Sequence, residues 1–284
     1  MTAEACAKRV WNFPTADYCL VPDEVHVWRA LLDQPRSSLA AFSEVLSADE
    51  RARAERFYFD VDRRRAIIGR GLSRLLLGHY LGRPAHRIEF KYNAFGKPAL
   101  ADANCPLQFN VSHSGDVILV ATAIDRVLGV DVERIKQDMA NAEIAARYFS
   151  PRECRTLLAL PREIRGEAFF ACWTRKEAYL KARGDGLSLP LDRFDVAFAP
   201  AEPPRLLATR HDPAEAGRYT LCALDPGPGY AAALAVEGSN WRLTCWEWPR
   251  DERSQIASWI RQARPAGESA SDGPSQGRSA ERPG

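Results

Sequence analysis

No stretch of this sequence is apolar for long enough to span a bilayer, which takes about 20 consecutive residues, so no membrane partner is implied. The opening residues MTAEACAKRVWNFP also lack the apolar centre of a secretory signal, and the expected location is the cytoplasm. The seven cysteines are odd in number, with no two in CxxC spacing. Neither a disulfide framework nor a structural zinc site is expected. Among the five histidines (His26, His79, His86, His113 and His211) none are paired at close ligand spacing, which argues against a dense two-metal centre. A large excess of one charge is missing as well: 39 Lys and Arg face 37 Asp and Glu. That balance permits a local basic patch but gives no reason to expect nucleic acid as a partner.

What is present fits a soluble globular chain. At 284 residues it can bury a full core as one large domain or two moderate ones. Glu24–Leu31 reads as a first strand, with His26 an ordinary strand residue. Residues 37–56 read as helix, with Ser47 and Glu50 in capping-box spacing. Arg51, Arg53, Arg56, Arg63, Arg64 and Arg65 follow one another closely. They form either a solvated helix face or an anion site, for which the planar guanidinium fork is suited. Ala66–Leu81 is a helix stopped by Gly82 and Pro84. Residues 88–100 give a strand and then a turn in which Gly96 and Pro98 flank Lys97.

Leu107–Ile135 reads as three strands in an antiparallel meander, with turns at Ser114–Asp116 and Asp125–Arg126. The first and third strands then flank the second and point the same way, which brings Ser112 and His113 near Asp131 and Glu133. On the third strand Asp131 and Glu133 share one face, opposite Val130 and Val132. Two carboxylates so placed mark either a solvated edge strand or a site for a hard divalent ion.

Ser150–Glu153, SPRE, is a second capping box. Glu167–Leu187, EAFFACWTRKEAYLKARGDGL, is an amphipathic helix closed by a glycine turn. Phe169, Trp173 and Leu180 fall within one narrow arc of it. Glu177 and Lys181, four residues apart, sit at the edge of that arc, and Lys176 lies on the buried side, where an ammonium must snorkel or pair. The helix weakly parallels Ala66–Leu81, hinting at two related halves. Further strands are expected around Phe194–Phe198, Arg218–Leu224, Tyr230–Val236 and Trp241–Trp248. Residues 264–284, rich in Gly, Ser and Pro, have too few apolar side chains for a core and are expected to be disordered.

Three blocks carry a resemblance: FNVSHSGD at Phe109–Asp116, GVDVERI at Gly129–Ile135, and FFACWTRKEAYLKARGDGL at Phe169–Leu187. In this order, with GKP before them, they resemble the 4′-phosphopantetheinyl transferases of the broad-specificity, surfactin-synthase-activating type. The resemblance spans roughly Glu24 to Trp248. It implies an α+β fold of two similar α/β-type halves about a pseudo-twofold axis, here 1–125 and 126–250, with the active site in the cleft between them. The implied reaction moves the phosphopantetheine arm of coenzyme A to a serine of an apo acyl or peptidyl carrier domain, leaving adenosine 3′,5′-bisphosphate. It implies Mg²⁺, with Mn²⁺ as an alternative ion, and a monomer.

By the same resemblance Asp131, Glu133 and Glu177 are the metal ligands, Glu133 directly or through water. Glu177 is assigned as general base, with Glu133 or a water on the metal as alternatives. Lys181 is assigned to the phosphate and the leaving group. Arg53, Lys97, Ser112 and His113 are assigned to coenzyme A, with the loop Tyr92–Lys97 beside the adenine. One position departs from the pattern: Glu50 stands where some relatives place a basic residue near the 3′-phosphate. A non-catalytic module binding coenzyme A or a carrier would keep Arg53, Lys97 and His113 but would not need Asp131, Glu133, Glu177 and Lys181 together. A phosphodiesterase acting on holo carrier protein is a third reading, disfavoured by the sparse histidines.

Overall fold

A computed structural model describes residues 10–14, 19–136, 142–184 and 186–249; the expectation for residues 264–284 lies outside them. The elements in chain order are strand β1 (Glu24–Leu31), helices α1 (Arg36–Glu44), α2 (Ala48–Glu55) and α3 (Asp60–Leu81), and strands β2 (Phe90–Tyr92), β3 (Pro98–Leu100), β4 (Leu107–Ser114), β5 (Val117–Ile124) and β6 (Leu128–Arg134). Helices α4 (Ala142–Tyr148), α5 (Pro151–Ala159) and α6 (Arg165–Arg183) follow, then strands β7 (Phe194–Val196), β8 (Leu206–Thr209), β9 (Tyr219–Leu224), β10 (Tyr230–Glu237) and β11 (Arg242–Glu247). This is the mixed α+β architecture expected. The single helix read over 37–56 is two, because Ser47 caps a new start at Ala48 and accepts no continuation from α1. Its backbone amide donates to Glu50 Oε2 at 3.0 Å, half of a capping box.

Two sheets form the frame, in the orders β11-β1-β5-β4 and β6-β10-β9. Strand periodicity sorts their side chains into layers. On β1 and β5, Trp28, Ala30, Ile118 and Val120 pack with Leu72, Leu75 and Leu76 of α3. Their alternates Val25, Val27, Leu119 and Ala121 pack instead with Val130 and Val132 of β6 and Leu234 of β10. Ala233 and Ala235 of β10 turn the other way, onto Ala178 and Ala182 of α6. The order of layers is therefore α3, first sheet, second sheet, α6. Each long helix covers the outer face of one sheet, which is the physical content of the weak parallel between the two helical stretches.

Two sequence expectations are corrected. Strand β6 is not the third member of a meander with β4 and β5. It leaves the first sheet after Asp125, whose φ of 52° turns the chain, and pairs antiparallel with β10. Apolar residues on the inner face and a glycine at Gly129 on the outer one let it sit between the first sheet and α6. An alanine Cβ at Gly129 would stand 2.2 Å from Ala178 O and 2.3 Å from Ala182 N, so the helix backbone rests directly on the strand. The last strand also returns to the beginning. Residues Trp241–Trp248, read with the second half, lie parallel to β1, with Trp28 opposite Trp246.

Candidate functional site

Strands β4 and β6 form the edges of their sheets and run side by side without a backbone ladder. Every second side chain of β4 takes the place of a backbone acceptor. Asn110 Oδ1 accepts from Val130 N at 2.9 Å, Ser112 Oγ from Val132 N at 3.3 Å, and Ser114 Oγ from Arg134 N at 3.0 Å. An edge strand needs partners for its outward amides, and here three polar side chains supply them. The alternation Asn-x-Ser-x-Ser in FNVSHS was the available signal for Asn110 and Ser114, which sequence reasoning passed over.

The same hydroxyls hold the acids. Ser112 Oγ lies 3.0 Å from Asp131 Oδ1, and Ser114 Oγ donates to Glu133 Oε2 at 2.6 Å. Lys181, from the last turn of α6, completes the junction. Its Nζ stands 2.6 Å from Asp131 Oδ1 and donates to Ser112 Oγ at 2.9 Å. Residues far apart in sequence thus meet at one point: Ser112 from the first sheet, Asp131 and Glu133 from the second, Lys181 from α6. Sequence reasoning expected this meeting through a shared sheet; the seam of side chains brings it about instead.

Glu177 lies one turn before Lys181 on the half-buried edge of α6. Its pKa is pushed up to about 7. Burial is the larger cause, and the negative charges of Asp131 and Glu133 add to it against the pull of Lys181. Glu133 is also raised, mainly by burial and then by Asp131. Asp131, almost wholly buried, is raised by desolvation in spite of Lys181 and Ser112. One of its oxygens, Oδ2, is buried and has no hydrogen-bond partner among the described residues. A buried carboxylate oxygen without a donor is costly, and the charge of Asp131, which raises the pKa of both Glu133 and Glu177, calls for a cation.

Among the described residues no three such groups are drawn close enough together to hold a metal ion; the ammonium of Lys181 stands in the acid cluster instead. The chemistry of the donors still fits a hard divalent ion, which takes carboxylate oxygens and keeps water and phosphate ligands. Asp131 Oδ2 is a buried carboxylate oxygen left without a hydrogen-bond partner among the described residues.

Beside this junction opens a cleft of about 270 Å³ between α2, α3 and the end of β4, lined by Arg53, Arg65, Arg70, Glu50, Phe57 and His113 among others. Arg53 and His113, the residues assigned to coenzyme A from the sequence, both lie on the wall of this cleft. His113 adjoins Ser112 and so projects to the opposite side of β4. Partial burial, followed by the charges of Arg65 and Lys181, lowers its pKa. Arg65, one of the arginine run, and Arg70, which lies beyond it, also line the cleft; a helical wheel does not say which turns do so. Arg65 donates to Gly115 O at 2.9 Å, and Arg70 donates to Tyr92 Oη at 2.8 Å, its guanidinium 4.5 Å from the Phe90 ring centre.

Glu50 proves to be a strut of this wall. It is buried, it accepts from Arg74 Nε at 2.7 Å, and Arg70 Nε lies at 3.4 Å. Its charge is thus compensated by the arginines beside it. Lys97 is placed differently from the expectation that it contacts phosphate. It is absent from the cleft wall, and its Nζ donates to the carbonyls of Lys181, of Ala182 at 3.1 Å and of Leu128 at 3.4 Å.

Lys176, on the inner side of α6, is fully buried. Its Nζ lies 2.8 Å from Glu153 Oε2 and donates to Leu191 O at 2.8 Å and Phe194 O at 2.6 Å. It also sits 4.2 Å from the centre of the Phe194 ring.

A two-part α+β frame, an acid–ammonium junction at the meeting of both sheets, and an arginine-lined cleft beside it fit one class of protein: a group-transfer enzyme. The chain belongs to the 4′-phosphopantetheinyl transferase superfamily, in its surfactin-synthase-activating branch. Residues 127–235 match that superfamily, and residues 32–125 match the family described as 4′-phosphopantetheinyl transferase, N-terminal. The chain is 40% identical over 243 residues to the 4′-phosphopantetheinyl transferase HetI of Nostoc sp. strain PCC 7120, covering 85% of this chain and 99% of that protein. It is 36% identical over 165 residues to psf-1 of Bacillus pumilus, covering 58% and 69%. To Sfp of Bacillus subtilis strain 168 it is 33% identical over 172 residues, covering 60% and 75%. Both are named 4′-phosphopantetheinyl transferases.

Proposed function

We propose that this enzyme transfers the 4′-phosphopantetheine arm of coenzyme A to a serine of apo acyl or peptidyl carrier domains, in a Mg²⁺-dependent reaction. The observation that carries the reading is the junction of Ser112, Asp131 and Lys181, with Glu177 beside it at a pKa of about 7. In the proposed step the carrier serine Oγ bonds to the phosphorus bearing the pantetheine. The bond from that phosphorus to the bridging oxygen breaks, and adenosine 3′,5′-bisphosphate leaves. Glu177 takes the serine proton. A base poised near the working pH suits this role, since it is ionised often enough to act and basic enough to accept. Lys181, on the same helix edge, meets the negative charge that develops on the leaving phosphate.

Arg53, Arg65 and His113 line the cleft assigned to the phosphates of coenzyme A, and the loop at Tyr92–Lys97 is placed beside its adenine. Asp131, Glu133 and Glu177 would hold Mg²⁺, or Mn²⁺ in its place, with Lys181 moving off Asp131 toward the substrate. The ion, when bound, supplies positive charge to the diphosphate. The working form is proposed as a monomer of two halves, about 1–125 and 126–250. No helix among the described residues is long and apolar enough to cross a membrane.

The test is to incubate the full-length protein with coenzyme A, Mg²⁺ and a panel of apo acyl and peptidyl carrier domains, following carrier mass. A gain of one phosphopantetheine on at least one carrier is expected. No gain on any of them overturns the reading and favours a module that binds without transfer.

A further inference from the structure

The loop Asn93–Lys97 belongs to the first half, yet its polar contacts are made to the end of α6 in the second. Asn93 organises the loop from within: its Oδ1 accepts from Phe95 N at 3.0 Å and from Lys97 N at 2.9 Å, and its backbone amide donates to Lys97 O at 3.1 Å. Its Nδ2 then reaches out to Gly184 O at 2.8 Å. Gly184, at φ 80°, is the left-handed residue that ends α6. Phe95 packs on the next glycine, Gly186, where an added Cβ would stand 2.9 Å from its own Cβ. Lys97 completes the clasp with its ammonium on Lys181 O, Ala182 O and Leu128 O.

Helix physics gives this clasp a purpose. The last carbonyls of a helix have no amide within the helix to bond, and the end carries partial negative charge. A cation there is stabilising, and one that donates to two terminal carbonyls and to the neighbouring strand fixes the last turn in place. That turn bears Lys181, and Glu177 lies one turn earlier. The strand carbonyl held with them, Leu128 O, is next to Gly129, where β6 touches α6 most closely.

We propose that Lys97 is a positioning residue for the transfer reaction. It closes the C-terminal end of α6 from the opposite half of the molecule, so that Lys181 and Glu177 keep their places over Asp131. Asn93 is its partner in the same clasp. The proposal rests on the reading that α6 carries the reacting groups, and it gives the Gly-Lys-Pro turn a task on the enzyme itself. The loop expected beside the adenine is thus also the strap on the catalytic helix.

The experiment compares the full-length protein with Lys97→Met and Asn93→Ala in three measurements: kcat and KM for coenzyme A with an accepted carrier, amide hydrogen exchange over residues 180–184, and thermal unfolding to confirm a folded protein. Lys97→Met is expected to lower kcat on the order of 10- to 100-fold, the scale of a small misplacement of reacting groups. KM for coenzyme A should stay within about twofold of wild type, and exchange at the end of α6 should quicken. Asn93→Ala, which removes no charge, should shift kcat and exchange in the same direction, and Lys97→Arg should recover part of both. A large rise in KM with kcat and exchange unchanged in Lys97→Met would instead make Lys97 a phosphate contact and overturn the proposal, as would Asn93→Ala indistinguishable from wild type in exchange. If wild-type protein modifies no carrier, the proposed function has failed, and the exchange data still decide whether the clasp exists.

Discussion

Lys176 Nζ stands 2.8 Å from Glu153 Oε2, with both side chains shut off from solvent. Glu153 is at the same time the third residue of the α5 capping box, accepting from Ser150 N at 2.9 Å, and its other oxygen accepts from Val196 N at 2.8 Å. One carboxylate therefore joins the start of α5, the inner face of α6 and strand β7. The ammonium, with two carbonyls besides, has all three of its donors engaged. The position that a helical wheel makes anomalous is thus the centre of a satisfied polar knot behind the reactive edge of α6.

Cutting one end of that knot should be worse than removing both. Lys176→Met leaves a buried carboxylate without its cation, and a loss of about 3–5 kcal/mol is expected. Glu153→Gln alone should cost a similar amount by stranding the ammonium. The double variant should lose clearly less than the sum, and denaturant unfolding of the four proteins in a double-mutant cycle measures the difference. Additive losses would mean the two groups do not act as a pair.

The acidity of Glu177 has two consequences of definite sign. Its pKa in the fold is about 7, against an ordinary 4.5. The folded metal-free protein holds a proton there that the unfolded chain releases, so stability from this group is full below pH 4.5 and declines as the pH rises through 7. Thermal unfolding without metal should show that decline, and Glu177→Gln should flatten it. As the base, Glu177 must be ionised: the rate should rise with pH along a limb that moves below 7 as Mg²⁺ is raised. Glu177→Gln should lower kcat on the order of 10²–10⁴-fold. Near-wild-type activity in this variant would assign the base elsewhere.

Asp131 offers a test of the metal separate from the test of the base. A chelator should abolish transfer, and added Mg²⁺ or Mn²⁺ should restore it. Asp131→Asn loses the charge that faces Lys181 and alters the oxygen left unpartnered. Activity should then require a much higher Mg²⁺ concentration, on the order of tenfold or more, as expected for loss of a charged oxygen ligand. Isothermal titration with Mg²⁺ in the presence of coenzyme A reads the same change without turnover. An unaltered Mg²⁺ requirement would remove Asp131 from the ligand set.

Glu50 invites an intuitive repair that should fail. Replacing it by lysine restores a basic residue at the position noted in some relatives. Here it would set an ammonium beside Arg70 and Arg74 in a buried place, removing the anion that both guanidiniums lean on. Glu50→Lys is therefore expected to lower the melting temperature and to raise KM for coenzyme A. An improved KM in a protein of wild-type stability would show that Glu50 is no strut.

The parts of this molecule legible in its sequence are those governed by short-range rules. Periodicity gives β1, β4, β5, β6, β9 and β10 to within a few residues and α3 all but its first six, and the capping box at Ser150 fixes the start of α5. Glu177 and Lys181 stand out because charges at the border of an apolar stripe need a reason, and Asp131 because it shares one strand face with Glu133. What stays hidden depends on which strands meet. The partner of β6 is β10, about a hundred residues downstream, and no local pattern distinguishes that pairing from a meander. Lys97 illustrates the same limit: a lysine in a tight turn has an obvious charge and no visible target, and its target is a helix end eighty-five residues away. Glu50 reads as a departure only while Arg70 and Arg74 cannot be seen beside it.

The placement of β11 governs how such a chain can be made. The first sheet has β1 in its interior, between β11 and β5, and β1 is synthesised long before β11. Its parallel partner, residues 242–247, is among the last of the described chain. Until then β1 carries an open edge on one side, available to any extended segment nearby. The nascent first half must wait through some two hundred residues of synthesis before it is closed, and its final shape cannot be won by that half alone. Severing the chain between the two family units would yield an N-terminal piece with a missing strand, prone to self-association, while co-expression with the C-terminal piece should restore solubility by handing β11 back.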